Sequence, residues 1–356
     1  MVRLAVIGTG TFGINHLRAF AQLEEEGKAK LVAASDLNTE RLEALAREFG
    51  FRPYEDYREM LEKEDLDGVS VVTPDFLHRQ IAIDVLSSGR HVLVEKPLDV
   101  TLEGCQEILD EANKRGLLLQ VDFHKRYDPY HQELHRLVGE GKLGEPLYGY
   151  AHMEDRIEVP RDWFPSWAPK SSPVWFLGIH FYDLVRWVLR SNGKVAFAKG
   201  QKKKLISLGI DTYDSVQAQV EFRNGCVVSF DTSWILPDDF EAIVNQGIRL
   251  VGTEGMIEVD TQDRGARSCF SSDGGMRTYN LGFLQEKADP WGKSIYTGYG
   301  IESIQDFARN VSYIKQGISL KSLKGRYPDG EDGLEATKIA YAVEESLRRG
   351  EPVEIS

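Results

Sequence analysis

The sequence contains little cysteine and no long apolar run. Its three cysteines among 356 residues are far apart, at Cys105, Cys226 and Cys269. Their number and spacing indicate neither a disulfide framework nor a metal site, so we expect reduced thiols and a cytoplasmic location. No stretch approaches the ~18 apolar residues that cross a bilayer, and the N-terminus lacks the pattern of a signal peptide. We therefore expect no membrane partner.

Positive charge is also in deficit. The chain has 43 Lys and Arg against 56 Asp and Glu, a formal net charge of −13. An acidic protein repels phosphate backbones, so nucleic acid is not an expected partner. The one basic run, three lysines at 202–204, is interpreted as a solvated strand edge. A length of 356 residues exceeds one ordinary core, which predicts two domains.

Short apolar runs alternate with helical stretches over the first third of the chain. Strands are predicted at residues 4–7, 30–35, 68–73, 91–94 and 117–123. Among the intervening helices, Asn38 and Thr101 are predicted N-cap residues and Gly116 is a stop signal. This alternation indicates βαβ units and a parallel sheet covered on both faces. The predicted fold class is α/β, with a first domain over residues 1–123.

A glycine-rich loop follows the first strand and opens the first helix. Its residues are Gly8, Thr9, Gly10, Thr11, Phe12 and Gly13. In such a loop the first glycine makes the turn, the second admits a pyrophosphate, and the third lets helix and strand pack closely. The helix N-terminus then faces the phosphates with free N–H groups and its dipole. In this context the loop predicts a bound dinucleotide.

Asp36 ends the second predicted strand, downstream of the glycine loop. A carboxylate at this point accepts hydrogen bonds from the adenosine ribose hydroxyls and repels a 2′-phosphate. The expected cofactor is therefore NAD, and NADP is less favoured. Arg41 lies close enough in sequence to leave some use of NADP open.

The pattern changes after Arg126. The next predicted elements are a helix at 128–140, a strand at 146–157, a loop rich in Trp and Pro at 160–175, and a helix at 178–190. Further strands are predicted at 195–208, 214–222, 226–235, 248–252 and 256–260. Asn224-Gly225 is a hairpin turn, and two late helices carry apolar stripes that include Ile304 and Ala340.

These elements predict a second α/β domain at 124–356, for substrate binding and oligomerisation. We expect a large, open, mainly antiparallel sheet with helices on one face. The uncovered face predicts a homodimer or homotetramer, unless that face is simply polar.

Five motifs occur in order along the chain. They are Gly8-x-Gly10-x-x-Gly13 followed by His16, Thr73-Pro74-x-x-x-His78, Glu95-Lys96-Pro97, Phe123-x-Lys125-Arg126-x-x-Pro129, and Gly178-x-His180-x-x-Asp183. With this set the whole chain resembles the Gfo/Idh/MocA oxidoreductases. The resemblance implies a Rossmann domain followed by an α/β domain with a large sheet. It also implies NAD-dependent hydride transfer from a secondary hydroxyl of a sugar, inositol or sugar derivative, or the reverse reduction.

The resemblance also implies roles for single residues. Lys96 follows a predicted strand where the nicotinamide is expected, and its ammonium can hydrogen-bond the reacting oxygen. His180 is the candidate general base, because an imidazole titrates near neutrality, although a core histidine is the alternative. The remaining cofactor residues are Thr73, Pro74, His78, Glu95 and Arg126. His16 and His78 are equally well explained as structural caps.

The expected substrate site is aromatic and departs from the family pattern. Its candidate residues are Lys96, Trp163, Trp175, Phe176, His180 and Asp183. Aromatic faces stack on the C–H faces of sugars, although several of these rings could be core or interface residues. Phe176 stands where the family often has Asp, and an apolar ring cannot relay a proton. Either Lys96 and His180 suffice, or the substrate differs from the usual polyol.

Two other functions stay open at this point. A non-catalytic NAD-binding sensor or regulator would keep the fold without turnover, and Phe176 leaves room for it. An enzyme that holds NAD tightly for transient oxidation is a further possibility. His124, His131 and His135 approach metal-ligand spacing, but no partner cluster accompanies them, so no metal is predicted.

Overall fold

The computed structural model describes residues 1–263, 266–270 and 275–356, which form two compact units. The first unit comprises Met1–Asp128 and Gly282–Leu334, and the second comprises Pro129–Leu281 and Glu335–Ser356. The sequence prediction divides the chain only once, after residue 123. The structure differs because Gly282–Leu334 groups with the N-terminal residues, whose core one of its helices completes.

The described residues contain strands and helices that we number in chain order. The strands are β1 (Val2–Ile7), β2 (Ala29–Ser35), β3 (Arg52–Tyr54), β4 (Gly68–Val71), β5 (His91–Val94), β6 (Leu119–Val121), β7 (Pro146–Arg156), β8 (Gly193–Gln201), β9 (Ser215–Phe222), β10 (Val227–Leu236), β11 (Val244–Gly252), β12 (Met256–Asp260), β13 (Arg267–Phe270), β14 (Gly275–Thr278), β15 (Gln285–Ala288), β16 (Ser294–Thr297) and β17 (Val353–Glu354). The helices are α1 (Gly13–Glu25), α2 (Thr39–Phe49), α3 (Tyr57–Lys63), α4 (His78–Ser87), α5 (Leu102–Arg115), α6 (Pro129–Gly139), α7 (Ile179–Leu189), α8 (Lys204–Ser207), α9 (Tyr299–Lys315), α10 (Leu320–Leu323) and α11 (Gly330–Arg349).

The first unit contains the predicted parallel sheet. Its six strands are ordered β3-β2-β1-β4-β5-β6, and every neighbouring pair is parallel. The five predicted strands correspond to β1, β2, β4, β5 and β6, although β4 and β6 are shorter than expected. The sequence does not predict β3, because it has three residues and includes Pro53. This order is that of a dinucleotide-binding sheet, with the direction of winding reversing between β1 and β4.

Helix ends in the first unit follow the predicted capping residues. The Asn38 side chain accepts from the Arg41 N–H at 3.0 Å, and the Thr101 hydroxyl accepts from the Gly104 N–H at 3.0 Å. After α5, Gly116 adopts the left-handed conformation at φ 64°. Each cap helps to satisfy backbone groups that the helix itself leaves unpaired. All three predictions are confirmed.

Helix α9 completes the core of the first unit. Its buried residues Ile304, Phe307 and Val311 pack in one cluster with Leu4 of β1. Gly68 of β4 lies against the same helix, since a Cβ there would come within 2.9 Å of the Phe307 ring. The predicted apolar stripe of this helix is confirmed. Its packing explains why Gly282–Leu334 belongs with the N-terminal residues.

The second unit contains the predicted open sheet. Its seven strands are ordered β12-β11-β7-β10-β9-β8-β17, and all neighbouring pairs are antiparallel except β7 with β10. The inward residues of β9 are Val216, Ala218, Val220 and Phe222, all buried. The Asn224-Gly225 hairpin joins β9 to β10, with Gly225 at φ 87°. A mainly antiparallel sheet is therefore confirmed.

One face of this sheet exposes apolar side chains. The register pairs Tyr148 with Val227 on one side and with Val251 on the other, and Val251 with Met256. Residues opposite each other in register share a face, so these four lie together. Tyr148 and Met256 are 56% and 50% exposed. The uncovered face that the sequence predicts is thus present and partly apolar.

Further regions differ from the sequence prediction. The strand predicted at 195–208 ends at Gln201, and α8 follows because Asp214 accepts the backbone N–H groups of Lys203, Lys204 and Leu205. The predicted loop at 160–175 contains helical turns, two of them π-helical. The hairpins β13–β14 and β15–β16 are not predicted. No helix in the described ranges is long and apolar enough to cross a membrane.

Candidate functional site

The glycine-rich loop joins β1 to α1 at the C-terminal edge of the parallel sheet. Gly8 has φ 93°, and a Cβ there would lie 2.4 Å from the Val72 carbonyl oxygen. A Cβ on Gly13 would lie 2.1 Å from the Gly8 carbonyl oxygen, whereas, apart from the chain neighbours of Gly10, no described residue lies within 4 Å of its Cβ position. Gly8 and Gly13 therefore close the turn, and Gly10 leaves open space beside the backbone.

Asp36 lies next to this loop, directly after β2. Its Oδ2 accepts from the Thr9 N–H at 2.7 Å and from the Thr9 hydroxyl at 2.9 Å, and its Oδ1 accepts from the Asn38 N–H at 2.8 Å. The Arg41 guanidinium donates to both oxygens, at 2.9 and 3.0 Å. Burial raises the pKa of Asp36, but the Asn38, Thr9 and Arg41 donors outweigh it, so the pKa is lowered overall. At neutral pH the group is an anionic acceptor beside the loop.

The loop after β4 forms the next part of this edge. The Thr73 Oγ1 is buried and has no hydrogen-bond partner among the described residues. The His78 ring lies between two carbonyl oxygens, with Nδ1 at 2.8 Å from that of Pro97 and Nε2 at 2.9 Å from that of Thr73. Because a carbonyl only accepts, both contacts are hydrogen bonds only when both nitrogens carry hydrogen. His78 thus ties the loop after β4 to the loop after β5, and its contact with a cofactor stays a prediction.

Lys96 follows β5 at the same edge. It is half-buried and stands between two buried residues, Glu95 and Pro97. Its main-chain N–H donates to Glu95 Oε2 at 3.1 Å. Its positive charge acts on the carboxyl groups of both Glu95 and Asp122. Lys96 is therefore near enough to Glu95 and Asp122 for its charge to favour the ionised form of each.

A buried polar cluster surrounds the Glu95 side chain. Glu95 Oε1 lies 3.3 Å and Asp122 Oδ2 lies 3.8 Å from Nε2 of His16. The Oγ of Ser70 lies 2.7 Å from Nδ1 of the same ring. His16, Ser70 and Asp122 are at most 3% exposed, and Glu95 is 9% exposed. His16 is thus part of an internal network, which is closer to the structural role than to a cofactor contact.

The two carboxyl groups of this cluster have opposite pKa shifts. Burial and the negative charge of Glu95 raise the pKa of Asp122 well above its usual range. Burial also acts to raise the pKa of Glu95, but the His16 hydrogen bond and the charges of His16, Lys96 and His124 lower it to about 2. Two buried carboxylates in contact do not both ionise readily. The arrangement favours an anionic Glu95 beside a neutral Asp122.

Sequence reasoning missed Asp122, although a signal was present. The register pairs Val94 of β5 with Val121 of β6, so Glu95 and Asp122 follow in register at the same edge. Carboxylates directly after two adjacent parallel strands are expected to meet. Ser70 gives no such signal, because a serine in a buried strand is not recognisable as the partner of a distant histidine.

The first unit also fixes the position of Arg126. This predicted cofactor residue is 7% exposed, and its Nη1 lies 3.0 Å from Asp332 Oδ2 in the first turn of α11. The guanidinium is therefore held by a carboxylate of the same unit. Its contact with the cofactor stays a prediction.

The edge of the parallel sheet fits a dinucleotide. Gly10 leaves space for a pyrophosphate, Asp36 provides an anionic acceptor, and the Thr73 hydroxyl is buried without a partner in the described part of the chain. The predicted residues Gly8, Thr9, Gly10, Thr11, Phe12, Gly13, Asp36, Thr73, Pro74, His78, Glu95 and Lys96 all lie at the strand ends after β1, β2, β4 and β5. The structure thus brings this part of the predicted set to one edge.

His180 and Asp183 lie on α7 in the second unit, and the helix predicted at 178–190 is confirmed. His180 is 5% exposed and Asp183 is 1% exposed. The Asp183 Oδ1 lies 3.9 Å from the Arg186 Nη2. A π-helical turn, Val174–Gly178, runs directly into this helix. Such turns often occur at functional sites.

Phe176 lies in a cluster of aromatic rings within the second unit. Its ring centroid is 5.2 Å from that of Trp167, 5.8 Å from that of Phe164 and 6.0 Å from that of Trp234. The first two contacts are edge-to-face, as packed aromatic pairs prefer. Trp163 is 45% exposed and Trp175 is half-buried. The phenylalanine that replaces the usual aspartate is therefore accommodated by apolar packing.

Family models match both parts of the chain. Residues 2–123 match the model described as "Oxidoreductase family, NAD-binding Rossmann fold". Residues 131–258 match the GFO/IDH/MocA C-terminal domain. The first match spans the strands whose ends carry the glycine loop, Asp36 and Lys96.

The relatives of the chain include inositol dehydrogenases. It is 30% identical over 268 residues to scyllo-inositol 2-dehydrogenase (NAD(+)) of Bacillus subtilis (strain 168), with 73% of this chain and 74% of that protein covered. It is 25% identical over 358 residues to myo-inositol 2-dehydrogenase of Thermotoga maritima, with 99% and 98% covered. Its fold is similar to that of scyllo-inositol dehydrogenase from Lactobacillus casei with bound NAD(H) and scyllo-inositol, at a TM-score of 0.79, 20% identity, and coverage of 100% of this chain and 99% of that chain.

Proposed function

Because the chain belongs to the Gfo/Idh/MocA oxidoreductase family, we propose that it oxidises one secondary hydroxyl of an inositol or a closely related polyol. It is an NAD-dependent dehydrogenase of CH–OH groups. The observation that carries the proposal is the edge of the parallel sheet, where Lys96 shares the strand ends with the open glycine loop and Asp36. The inositol dehydrogenases among the relatives support the choice of a cyclitol.

We infer that the glycine loop and Asp36 hold NAD. The backbone at Gly10 admits the pyrophosphate to the N-terminus of α1, where N–H groups and the helix dipole favour an anion. Asp36 accepts hydrogen bonds from the adenosine ribose hydroxyls. When bound, NAD supplies the nicotinamide C4 that accepts the hydride.

We assign Lys96 the contact with the reacting oxygen. Its ammonium donates a hydrogen bond to the substrate hydroxyl and stabilises the negative charge that develops on that oxygen. This interaction is stronger in the transition state than with the neutral alcohol, so it lowers the barrier.

We assign His180 the role of the general base that accepts the hydroxyl proton. As the carbinol C–H bond breaks, the hydride leaves with its electron pair, the O–H proton moves to the imidazole, and a C=O bond forms. An imidazole can both accept and return a proton, which suits this transfer in both directions. Asp183, one turn further along α7, supports that helix. Because Phe176 offers no carboxylate, Lys96 and His180 make up the whole proposed proton-handling set.

A turnover assay on a polyol panel tests the proposal. NADH absorbance is expected with NAD and at least one inositol, while Lys96→Ala and His180→Ala each lower kcat by roughly 10³-fold or more and leave NAD binding within about threefold. Lys114→Ala is a matched control, since this exposed lysine lies on α5 of the same unit as Lys96.

Three results would contradict parts of the proposal. Wild-type turnover in Lys96→Ala or His180→Ala would remove the role given to that residue. Bound NAD without turnover on any polyol, sugar or keto-sugar would favour a sensor. NAD(H) retained through purification without net NADH formation would favour transient oxidation.

We propose further that the protein is a homo-oligomer that associates through the exposed sheet face of the second unit. Tyr148, Val227, Val251 and Met256 give that face an apolar patch. A depression of about 440 Å³ lies on the same sheet, lined by residues that include Tyr148, Tyr150 and Arg249. Apolar patches of this kind support self-association. Light scattering after size-exclusion chromatography distinguishes monomer, dimer and tetramer.

The proposed location is the reducing cytoplasm. Cys105, Cys226 and Cys269 form no disulfide among the described residues, and Cys105 and Cys226 are buried. Disulfides are rare in that compartment. Localisation of a tagged chain in its native cell tests this assignment.

A further inference from the structure

We propose that Glu95 and Asp122 form a carboxyl pair that shares one proton and one negative charge, and that this pair is a positioning element that keeps Lys96 charged. The inference rests on the proposed function of Lys96, which it deepens. Asp122 carries no assigned role, and Glu95 is assigned only to the cofactor site.

The pair is held from several elements of the first unit. One side-chain atom from each of His16, Glu95 and Asp122, a ring nitrogen or a carboxylate oxygen, lies within 4.8 Å of the other two. Glu95 and Asp122 follow β5 and β6 in register, and His16 projects from α1. Ser70 of β4 fixes the ring of His16 from its other nitrogen at 2.7 Å. The geometry leaves both carboxyl groups little freedom to separate.

The hydrogen bonds around Glu95 favour its ionised form. Nε2–H of His16 donates to Glu95 Oε1 at 3.3 Å, and the Ser70 Oγ contacts Nδ1 of the same ring at 2.7 Å. The Lys96 N–H donates to Oε2 at 3.1 Å. Glu95 thus accepts hydrogen bonds from two donors, which stabilise its anionic form. The shared proton therefore lies mainly on Asp122.

The polar and charged groups around the pair include His16 of α1, Lys96 after β5, His124 after β6 and Ser303 of α9. The charge of Asp122 also acts on the nearby Tyr127 hydroxyl. His124, Lys96 and His16 all favour negative charge, while burial and the contact between the two carboxyls oppose a second one. One anion shared by two carboxyls is the state that these opposing effects select.

A shared charge makes a distinctive prediction for isosteric variants. In Asp122→Asn the charge stays on Glu95, and in Glu95→Gln it passes to Asp122, so each single variant keeps one anion beside Lys96. Only the double variant removes it. The two substitutions are therefore expected to be strongly non-additive, as for groups that titrate as a unit.

The first measurement is the pH profile of kcat, whose alkaline limb reports loss of the Lys96 proton. We expect each single variant to move this limb by less than about half a pH unit and the double variant to move it to lower pH by about one unit or more. Glu64→Gln is the matched control, because Glu64 is also a buried carboxyl of this unit, 3% exposed, but binds Tyr54 and Arg52. It is expected to leave the limb in place.

The second measurement needs no turnover. The infrared band of a protonated carboxylic acid is expected in the wild-type protein at neutral pH and is expected to be lost in both single variants. Loss in Glu95→Gln, although the proton resides on Asp122, is specific to a shared proton. If the protein oxidises no polyol, the infrared measurement still shows whether Glu95 and Asp122 share a proton. Failure of the proposed function can therefore be told apart from failure of this inference. If the double variant does not fold, the infrared arm and the single variants decide.

Three results would overturn the inference. An equally large shift of the alkaline limb in Asp122→Asn alone would mean that each carboxyl carries its own charge. Absence of the protonated band at neutral pH would mean that no proton is held. One equivalent of a divalent metal in the purified protein would mean that His16, Glu95 and Asp122 ligate a cation.

Discussion

The two sheets of the protein use their surfaces in different ways. In the parallel sheet every residue of β4 is buried, whereas β9 of the open sheet alternates between buried and more exposed positions. A strand covered on both faces has no free side chain along its length, so the first sheet places chemistry at its ends, after β1, β2, β4 and β5. The second sheet leaves one face with exposed side chains, which is the face proposed for self-association. A sheet buried on both faces can therefore carry functional residues only at its strand ends, whereas a sheet with alternating burial can also carry them on its exposed face.

The largest effect is expected from a substitution in α9, the helix that packs on the parallel sheet. Phe307→Ala takes a fully buried ring from α9 out of the core that contains Leu4. We expect unfolding to become easier by about 3–5 kcal/mol, with loss of NAD binding at moderate temperature. Tyr313→Ala on the same helix is the control, since its ring is 45% exposed. Equal denaturation midpoints for the two variants would show that α9 is not part of this core.

Substitutions within the strands sharpen the comparison. Val92 and Leu93 are consecutive in β5 and both fully buried, so Val92→Ala and Leu93→Ala are each expected to destabilise the fold by about 2–4 kcal/mol. In β9, Val220→Ala is expected to cost a similar amount, but Gln219→Ala is expected to stay within about 0.5 kcal/mol. Urea titrations measure all four. A large effect of Gln219→Ala would mean that the second sheet is also covered on both faces.

Much of this contrast is readable from the sequence. Continuous apolar runs predict the parallel strands, and the alternation of β9 with the Asn224-Gly225 turn predicts the open hairpin. β3 and the π-helical turns are not predictable in this way, because short or irregular elements are stabilised by tertiary contacts rather than by a periodic pattern. The return of α9 to the first unit depends on packing against Gly68, which no local signal records.

The candidate site likewise contains residues that the sequence predicts and residues that it does not. The glycine loop, Asp36 and Lys96 are predictable because each follows a strand and has a known chemical role at that point. The partners of His16 are not, because Ser70 and Asp122 are distant in sequence and meet only through strand register. The packing of Phe176 against Trp234 is likewise invisible in the sequence, since two rings so far apart give no pairing signal.

A substitution at one strand end tests the role of that edge in cofactor choice. Asp36→Ser removes the acceptor and the charge that repels a 2′-phosphate, so we expect the KM for NAD to rise by roughly tenfold or more and the KM for NADP to change far less. Initial-rate kinetics with both cofactors measure this. Arg41→Ala is the companion variant: it frees the carboxylate, and NADP use is expected to fall. Equal changes in both KM values for Asp36→Ser would remove Asp36 from the cofactor site.

The lowered pKa of Asp36 sets a pH window for stability. Because the pKa is lower in the folded than in the unfolded protein, ionised Asp36 stabilises the fold above an unfolded value of about 3.9, and this stabilisation is lost as pH falls below it. The difference in Tm between wild-type protein and Asp36→Asn is therefore expected at pH 7 and is expected to shrink at pH 3. A difference that grows on acidification would contradict the assigned sign.

The free face of the second sheet is expected to give the smallest effect on folding. Tyr148→Glu places a charge among residues that are already exposed, so stability of the monomer is expected to change by less than about 0.5 kcal/mol. The oligomer is nevertheless expected to dissociate, as light scattering would show. Gln217→Glu is the control, because it changes an exposed polar residue of β9 that is not one of the four apolar patch residues. An unchanged mass for Tyr148→Glu would move the interface elsewhere.

The interrupted course of the first unit bears on how the protein is made. β6 ends at Val121, yet α9 begins only at Tyr299. At a synthesis rate of about 5–20 residues per second, the ribosome needs about 10–40 s to deliver the intervening chain. During that time the nascent sheet exposes apolar side chains such as Leu4 and Phe20 without the helix that packs on them. A fragment truncated before α9 is therefore expected to aggregate rather than fold.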